Sequence, residues 1–237
     1  MKLRIFFVVA LSILFLFVFL SCEKDPTSSK DETLKDIDGN VYQIVKIGEQ
    51  WWMAENLKVT HYRNGDPIQK ITDNTEWTTL TTGAYCNYGN DDSLADTCGS
   101  LYNWYAVSDN RNIAPEGWHV PSDDEWKELE MHLGMIQLVA DSAGLRGTDE
   151  GSKLKSTSHW SRSGNGNDDF GFSVLPSGYR LSNYGFFEGM GYYTHIWSST
   201  DYDGDHAWDR GLAYSYSAIG RGYYTKTYGF SVRLVRD

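Results

Sequence analysis

The chain predicts an α+β fold: twisted antiparallel sheets with one or two short helices and long ordered loops. Three observations predict it. The last third falls into short alternating stretches rich in Val, Ile, Phe, Tyr and Trp, separated by Gly, Asn and Asp turns. One segment, opening at Ser122, carries a full helix-start signal. The chain uses 16 Tyr and 23 Gly, which favours a twisted sheet over a helical bundle.

Taken in order, residues 1–21 predict a signal peptide. Lys2 and Arg4 form a basic start, and residues 5–20 are apolar apart from Ser12. Sixteen residues are short of the roughly 20 that a spanning helix needs. The run ends in Leu20-Ser21-Cys22, the pattern of a bacterial lipobox, with Phe19 where Leu is preferred. Cys22 is therefore the expected site of acylation, an ordinary cleaved signal being the alternative. Residues 22–35 predict a tether, since EKDPTSSKD cannot bury a core. The early Glu23-Lys24-Asp25 points to export to the cell surface, so the expected location is the outer membrane of the envelope, lipid-anchored and surface-exposed.

Residues 36–237 predict one domain. Asp38-Gly39 is a turn dipeptide, followed by a strand over residues 41–47. A second turn at Gly48-Glu49 leads to Gln50-Trp51-Trp52-Met53, where adjacent tryptophans must face opposite ways. Residues 101–107, LYNWYAV, are aromatic enough to be buried. Ser122 is an N-cap with Glu125 three residues on, a capping box. Asp123 and Asp124 sit where the helix dipole favours negative charge. Trp126, Leu129 and Leu133 then make one apolar stripe to about Gly134. A second short helix is expected from Gln137, and residues 144–169 read as a long surface excursion. Gly171-Phe172-Ser173-Val174 recurs as Gly229-Phe230-Ser231-Val232, which predicts two similar strands in one antiparallel sheet.

Composition narrows function. Without Lys2 and Arg4 the chain carries 19 basic against 32 acidic residues, a formal net charge of −13. That excludes a nucleic-acid partner, which needs clustered Lys and Arg. Cys86 and Cys98 are left as an even pair in an oxidising compartment and predict a disulfide, worth about 2–3 kcal/mol; two free thiols are the alternative.

Several motifs together resemble the Fibrobacter succinogenes major paralogous domain family. They are DGNVY from Asp38, IGEQWWMAENL from Ile47, LYNWYAV from Leu101, GWHVPSDDEW from Gly117, GFSVLPSGYR from Gly171, IWSS from Ile196 and the terminal YGFSVRLVRD. The resemblance implies a C-type-lectin-like fold, distantly similar to formylglycine-generating enzymes, with Pro121 to Trp126 and Gly229 to Val235 as the matching positions. It implies secretion or lipid anchoring and no settled activity.

No catalytic motif stands out. The reactive C-terminal cysteine pair of formylglycine-generating enzymes is absent, since the last cysteine is Cys98. His61, His119, His132, His159, His195 and His206 show no metal-binding spacing, and no Gly-x-Ser-x-Gly elbow occurs. His119 is read as a hydrogen-bonding residue of the interior. Asp201-x-Asp203-x-Asp205 opens like a calcium loop, but His206 and Leu212 stand where an EF-hand needs Gly and Glu. Calcium at Asp201, Asp203 and Asp205 is the one cofactor candidate, solvated turns being the alternative. Trp160, Tyr184, Tyr202 and Trp208 lie on loops and are candidates for stacking on sugars. The expected function is a non-catalytic binding domain for polysaccharide or protein, held to a membrane by its lipid. The alternatives are an enzyme acting on an extracellular polymer and a structural envelope protein. Any localised function is expected on the Gly- and Tyr-rich loops of residues 144–169 and 179–224, as a pocket or as a flat face.

Overall fold

A computed structural model describes residues 32–237. The signal peptide, Cys22 and the tether up to residue 31 lie outside the described residues. The tether was expected to run to residue 35. Instead Thr33–Lys35 is a strand, β1, paired antiparallel with the strand after it. Leu34 is the reason: it is buried in the core.

In chain order there follow β2 (Val41–Ile47), β3 (Gln50–Met53), β4 (Gln69–Lys70), α1 (Asn74–Thr78), β5 (Ala84–Cys86), α2 (Ala95–Cys98) and β6 (Leu101–Tyr102). Next come α3 (Trp104–Val107), β7 (Trp118–His119), α4 (Asp123–His132), α5 (Gln137–Ala140), β8 (Gly144–Arg146) and α6 (Glu150–Leu154). The chain ends with β9 (Ser177–Arg180), β10 (Phe187–Met190), β11 (Tyr193–Asp201), β12 (His206–Ala213), β13 (Ile219–Thr225) and β14 (Val235–Arg236). The fold is mixed α+β, as expected. Among the described residues six α-helical segments, with two 3-10 turns at Tyr88–Asn90 and Asp92–Leu94, replace the one or two helices predicted, but only α4 exceeds five residues. The other five are single turns too short to show a period in sequence.

The strands form three sheets, in the orders β1-β2-β3-β14-β7, β10-β9-β11-β12-β13-β8 and β4-β5-β6. Pairing is antiparallel except at β4–β5 and β9–β11. The β2–β3 hairpin falls where the turn at Gly48 placed it. Trp52 points into a core with Trp126, Phe172 and Leu129, while Trp51 packs against the second core around Tyr42, Tyr102, Trp197 and Phe230. Two adjacent tryptophans thus serve two cores from one strand.

The α4 start is as read. Ser122 Oγ accepts from Glu125 N at 3.2 Å, and Glu125 Oε2 accepts from Ser122 N at 2.7 Å. Trp126, Leu129 and Leu133 form the buried stripe. His119 reaches this cap from β7. Its Nε2 lies 2.7 Å from Glu125 Oε1, and its Nδ1 lies 2.5 Å from Asp237 Oδ1. The Glu125 contact, joined by Asp237, raises the His119 pKa above its ordinary value. A raised histidine contributes stability below the unfolded value of about 6.5, which is lost as pH climbs through the folded value. Replacing His119 with Phe should therefore flatten the pH dependence of Tm above about pH 6.5. An unchanged profile in that variant would refute the linkage.

The repeated Gly-Phe-Ser-Val segments do not pair as two strands of one sheet. Val174 makes a lone parallel bridge to Lys155, and residues 229–231 bridge to Arg180, Tyr102 and Ile196. Each Phe instead enters a different core, Phe172 beside Trp52 and Trp126, Phe230 beside Trp197.

Candidate ligand-binding site

A groove borders residues 144–169 but touches the second expected stretch only at Met190 and Gly191; residues 54–56, 97–98 and 173–176 and Arg233 supply the rest of its lining. Its polar lobe, about 250 Å³, is lined by Glu55, Ser156, His159, Asp168, Ser173 and Arg233, among others. Its apolar lobe, about 240 Å³, is lined by Cys98, Pro176, Met190 and Gly191. Thr97, His159 and Leu175 line both lobes.

The wall from Ser156 to Ser173 is held by its own hydrogen bonds. Ser156 N donates to Val174 O at 2.9 Å, and Trp160 Nε1 donates to the same carbonyl at 3.0 Å. Asn165 Oδ1 accepts from Trp160 N, and Asp168 Oδ1 accepts from Ser173 N at 2.7 Å. The backbone here is strained. His159, Arg162, Ser163, Asp168 and Ser173 all have φ between 52° and 75°, and only Asn90 and Asn112 join them among described residues other than Gly. A residue with a Cβ occupies this region at a cost, and such residues gather where a site over-determines them.

Arg233 closes the groove from beneath and is 1% exposed. Its Nε donates to Asn56 Oδ1 at 2.9 Å, Nη1 to Phe172 O and Met53 O, and Nη2 to Ser173 O at 3.1 Å. No carboxylate touches it among the described residues. Burial draws its pKa down, and the charges of Asp168 and Glu55 oppose that. A guanidinium has five N–H groups, so one remains for a ligand. Glu55 offers a second oxygen, since Oε1 already accepts from Gln43 N. The hydroxyls of Thr97, Thr157 and Ser158 stand exposed along the same lobe. Ser158 Oγ lies 2.8 Å from His159 Nδ1, but His159 is exposed and no carboxylate orients its ring. That leaves the pair short of the nucleophile–base–orienter set of covalent catalysis.

A family model described as the Fibrobacter succinogenes major domain matches residues 45–236. The chain belongs to that family. No curated protein and no solved structure matches it.

Inside this Fibrobacter succinogenes major domain, the motif residues turn out to be neighbours. Asn56, from WMAENL, accepts from Arg233 of the terminal motif and donates to Cys98 O and to Ser231 Oγ at 3.2 Å. Ser231 Oγ lies 2.9 Å from Ser177 Oγ, which lies 2.7 Å from Thr194 Oγ1. Arg180, from PSGYR, is fully buried and donates to the carbonyls of Gly185, Ile71, Thr72 and Asp73. Of these residues Asn56 and Arg233 line the groove.

The four candidate aromatics separate, and Trp208 is not on a loop: it lies within β12, paired with Tyr223 of β13. Trp160 is not exposed for stacking: it is 4% exposed, because its ring fills the core under the excursion. Tyr184 is exposed and stacks on Phe186, rings 6.2 Å apart. Tyr202 and Trp208 lie together with Tyr223, where Tyr202 stacks at 3.9 Å on Tyr223 and meets Trp208 edge-on. The Arg221 guanidinium covers one face of Trp208 at 3.6 Å. None of the four lines the groove.

Cys86 and Cys98 are free thiols, not a disulfide. They serve different surroundings: Cys86 packs with Ile71, Trp77 and Leu101, and Cys98 ends α2 against the groove. Burial pushes the Cys86 thiol up to about 12, against the opposing pull of Arg180.

Asp201, Asp203 and Asp205 do not converge on a metal position, and no group of three or more metal-ligating side chains occurs among the described residues. The Lys226 ammonium enters this loop instead. It lies 2.9 Å from Asp201 Oδ1 and donates to Asp203 O and Gly204 O. Asp203 Oδ1 accepts from the N–H groups of Asp205 and His206.

Of the two expected stretches, 144–169 borders the groove and 179–224 adds only Met190 and Gly191, and the sequence marked none of Glu55, His159, Asp168 or Arg233 as site residues. The available signals were the concentration of Ser, Asn, Asp and Gly in residues 144–169 and, for Glu55 and Arg233, their places in the family motifs.

Proposed function

We propose that this domain is a non-catalytic module binding saccharide units of a polysaccharide in the groove. The observation that carries the reading is the groove's division into a hydroxyl- and charge-lined lobe and an apolar lobe around Leu175, Pro176 and Met190. A sugar ring presents both faces: C–H groups for the apolar side and hydroxyls for Glu55, Thr97, Ser158 and Arg233. A C-type-lectin-like fold, as the family resemblance implies, accords with such a role. So does a lipoprotein anchored through Cys22 in the outer membrane, with the domain facing the cell exterior.

Retention on insoluble polysaccharides and a glycan array test this. Binding is expected, and Thr97→Trp should weaken it about tenfold or more, because Thr97 is exposed and borders both lobes. A protein that retains its Tm and binds no glycan would sink the proposal.

A further inference from the structure

A second cleft lies on the six-stranded sheet, on the face turned away from α4. Register explains it. His195 of β11 pairs with Gly211 of β12, Gly211 with Gly220 of β13, and Gly220 with Leu145 of β8. Four strands therefore present one row of two side chains with two bare glycines between them. The result is a slot of about 190 Å³ whose floor is peptide backbone. A cavity of about 150 Å³ suffices for a six-membered aromatic ring.

The His195 wall is fixed in position and in tautomer. Its ring stacks on Phe230 at 4.7 Å and meets Tyr179 and Tyr224 edge-on at 5.2 and 5.0 Å. Its Nδ1 lies 2.6 Å from Asp209 Oδ2. Asp209 is 1% exposed, and its other oxygen accepts from Gly222 N at 3.2 Å. A carboxylate can only accept, so the neutral imidazole carries its proton on Nδ1. Nε2 is then an acceptor, and it has no partner among the described residues.

A histidine–aspartate pair kept only for the interior would explain two of the glycines. A Cβ at Gly211 would come within 3.2 Å of the His195 ring, and one at Gly222 within 2.8 Å of Asp209 Oδ1. It would not explain Gly220, whose Cβ would touch neither side chain of the pair; it would press on the Gly211 carbonyl oxygen at 3.3 Å, a tight contact, with its next neighbour at 3.7 Å. Nor would it explain Leu145, left 54% exposed at the far rim. A glycine inside a strand often marks a site where a ligand or another backbone approaches closely.

We infer that this slot binds a planar aromatic ring bearing an N–H or O–H donor, which lies on the Gly211–Gly220 backbone and donates to His195 Nε2. The ring is either a free small molecule or a side chain presented by a protein.

Ligand-observed NMR with indole and quinoline tests it on the purified protein. Indole donates and quinoline only accepts, so the wild type should bind indole about tenfold more tightly, one hydrogen bond's worth. Asp209→Asn keeps the shape, but its amide donates to Nδ1, moves the ring proton to Nε2 and should reverse the preference. Gly220→Ala should weaken both rings about tenfold while Tm stays close to wild type. Equal binding of N-acetyltryptophanamide and indole would mark a protein side chain as the source, and binding of indole alone a free molecule. Failure of the wild type to bind either ring would overturn the inference, as would an unchanged preference in a folded Asp209→Asn variant.

Discussion

Replacing Glu130 with Ala is expected to lower the unfolding free energy by about 3–5 kcal/mol, the cost of breaking a buried charge network by removing one partner. Glu130 is fully buried. Its Oε1 accepts from Arg210 Nε at 2.6 Å and its Oε2 from Arg146 Nη2 at 2.7 Å. Asp123 completes the network, accepting from Arg210 Nη1 at 2.8 Å and from Arg221 Nη2 at 2.7 Å. Two carboxylates on α4 thus hold three guanidiniums from β8, β12 and β13. Without Glu130, Arg146 keeps no carboxylate and Arg210 only one. Urea denaturation followed by circular dichroism measures the effect; a change under about 1 kcal/mol would refute it. Glu130→Ala with Arg210→Ala should cost less than the sum of the single changes, since the second removal relieves a charge that the first left unpaired. The same network sets an acid limb. Burial alone would raise the Asp123 pKa, but Arg221 and Arg210 outweigh it and hold the carboxyl well below its ordinary value. Its contribution is present above the unfolded value of about 4 and is lost as pH falls toward the folded one.

Replacing Arg233 with Lys should also cost about 3–5 kcal/mol, although the charge is conserved. The Arg233 guanidinium serves four acceptors spread around it, at Asn56, Met53, Phe172 and Ser173. One ammonium cannot reach them all, and each buried acceptor left unmatched costs about 1–3 kcal/mol. Arg233 also lines the polar lobe, so any glycan binding should fall with it. If thermal denaturation places Arg233→Lys within a degree or two of wild type, the guanidinium geometry is not what holds this part of the chain.

Both residues show what was hard to read. Ser122, Glu125, Trp126 and Leu129 announce α4 through local rules, and the structure keeps all four roles. Asp123 is different. Its place in the first turn explains it fully as dipole chemistry, yet it is buried against Arg210 and Arg221, 87 and 98 residues away. Glu130 gives no local hint at all. Trp160 misled for the opposite reason: a loop position suggested exposure, but a loop that bonds to its own strand can tuck an aromatic ring underneath. Cys86 and Cys98 misled because parity says nothing about where two side chains point.

The sequence by itself determined the α+β class, the β2–β3 hairpin, the capped helix and the family, because each rests on contacts between residues close in the chain or on long shared motifs. It also located residues 144–169, one wall of the groove. Only the tertiary structure decided which side chains share a site. Arg233 meets Asn56 across 177 residues, and His195 meets Asp209 only because β11 and β12 pair in one register. Shifting that register by a single residue would send every one of those side chains to the other face. No local pattern encodes that choice, since it is fixed by how the whole sheet packs against its two cores.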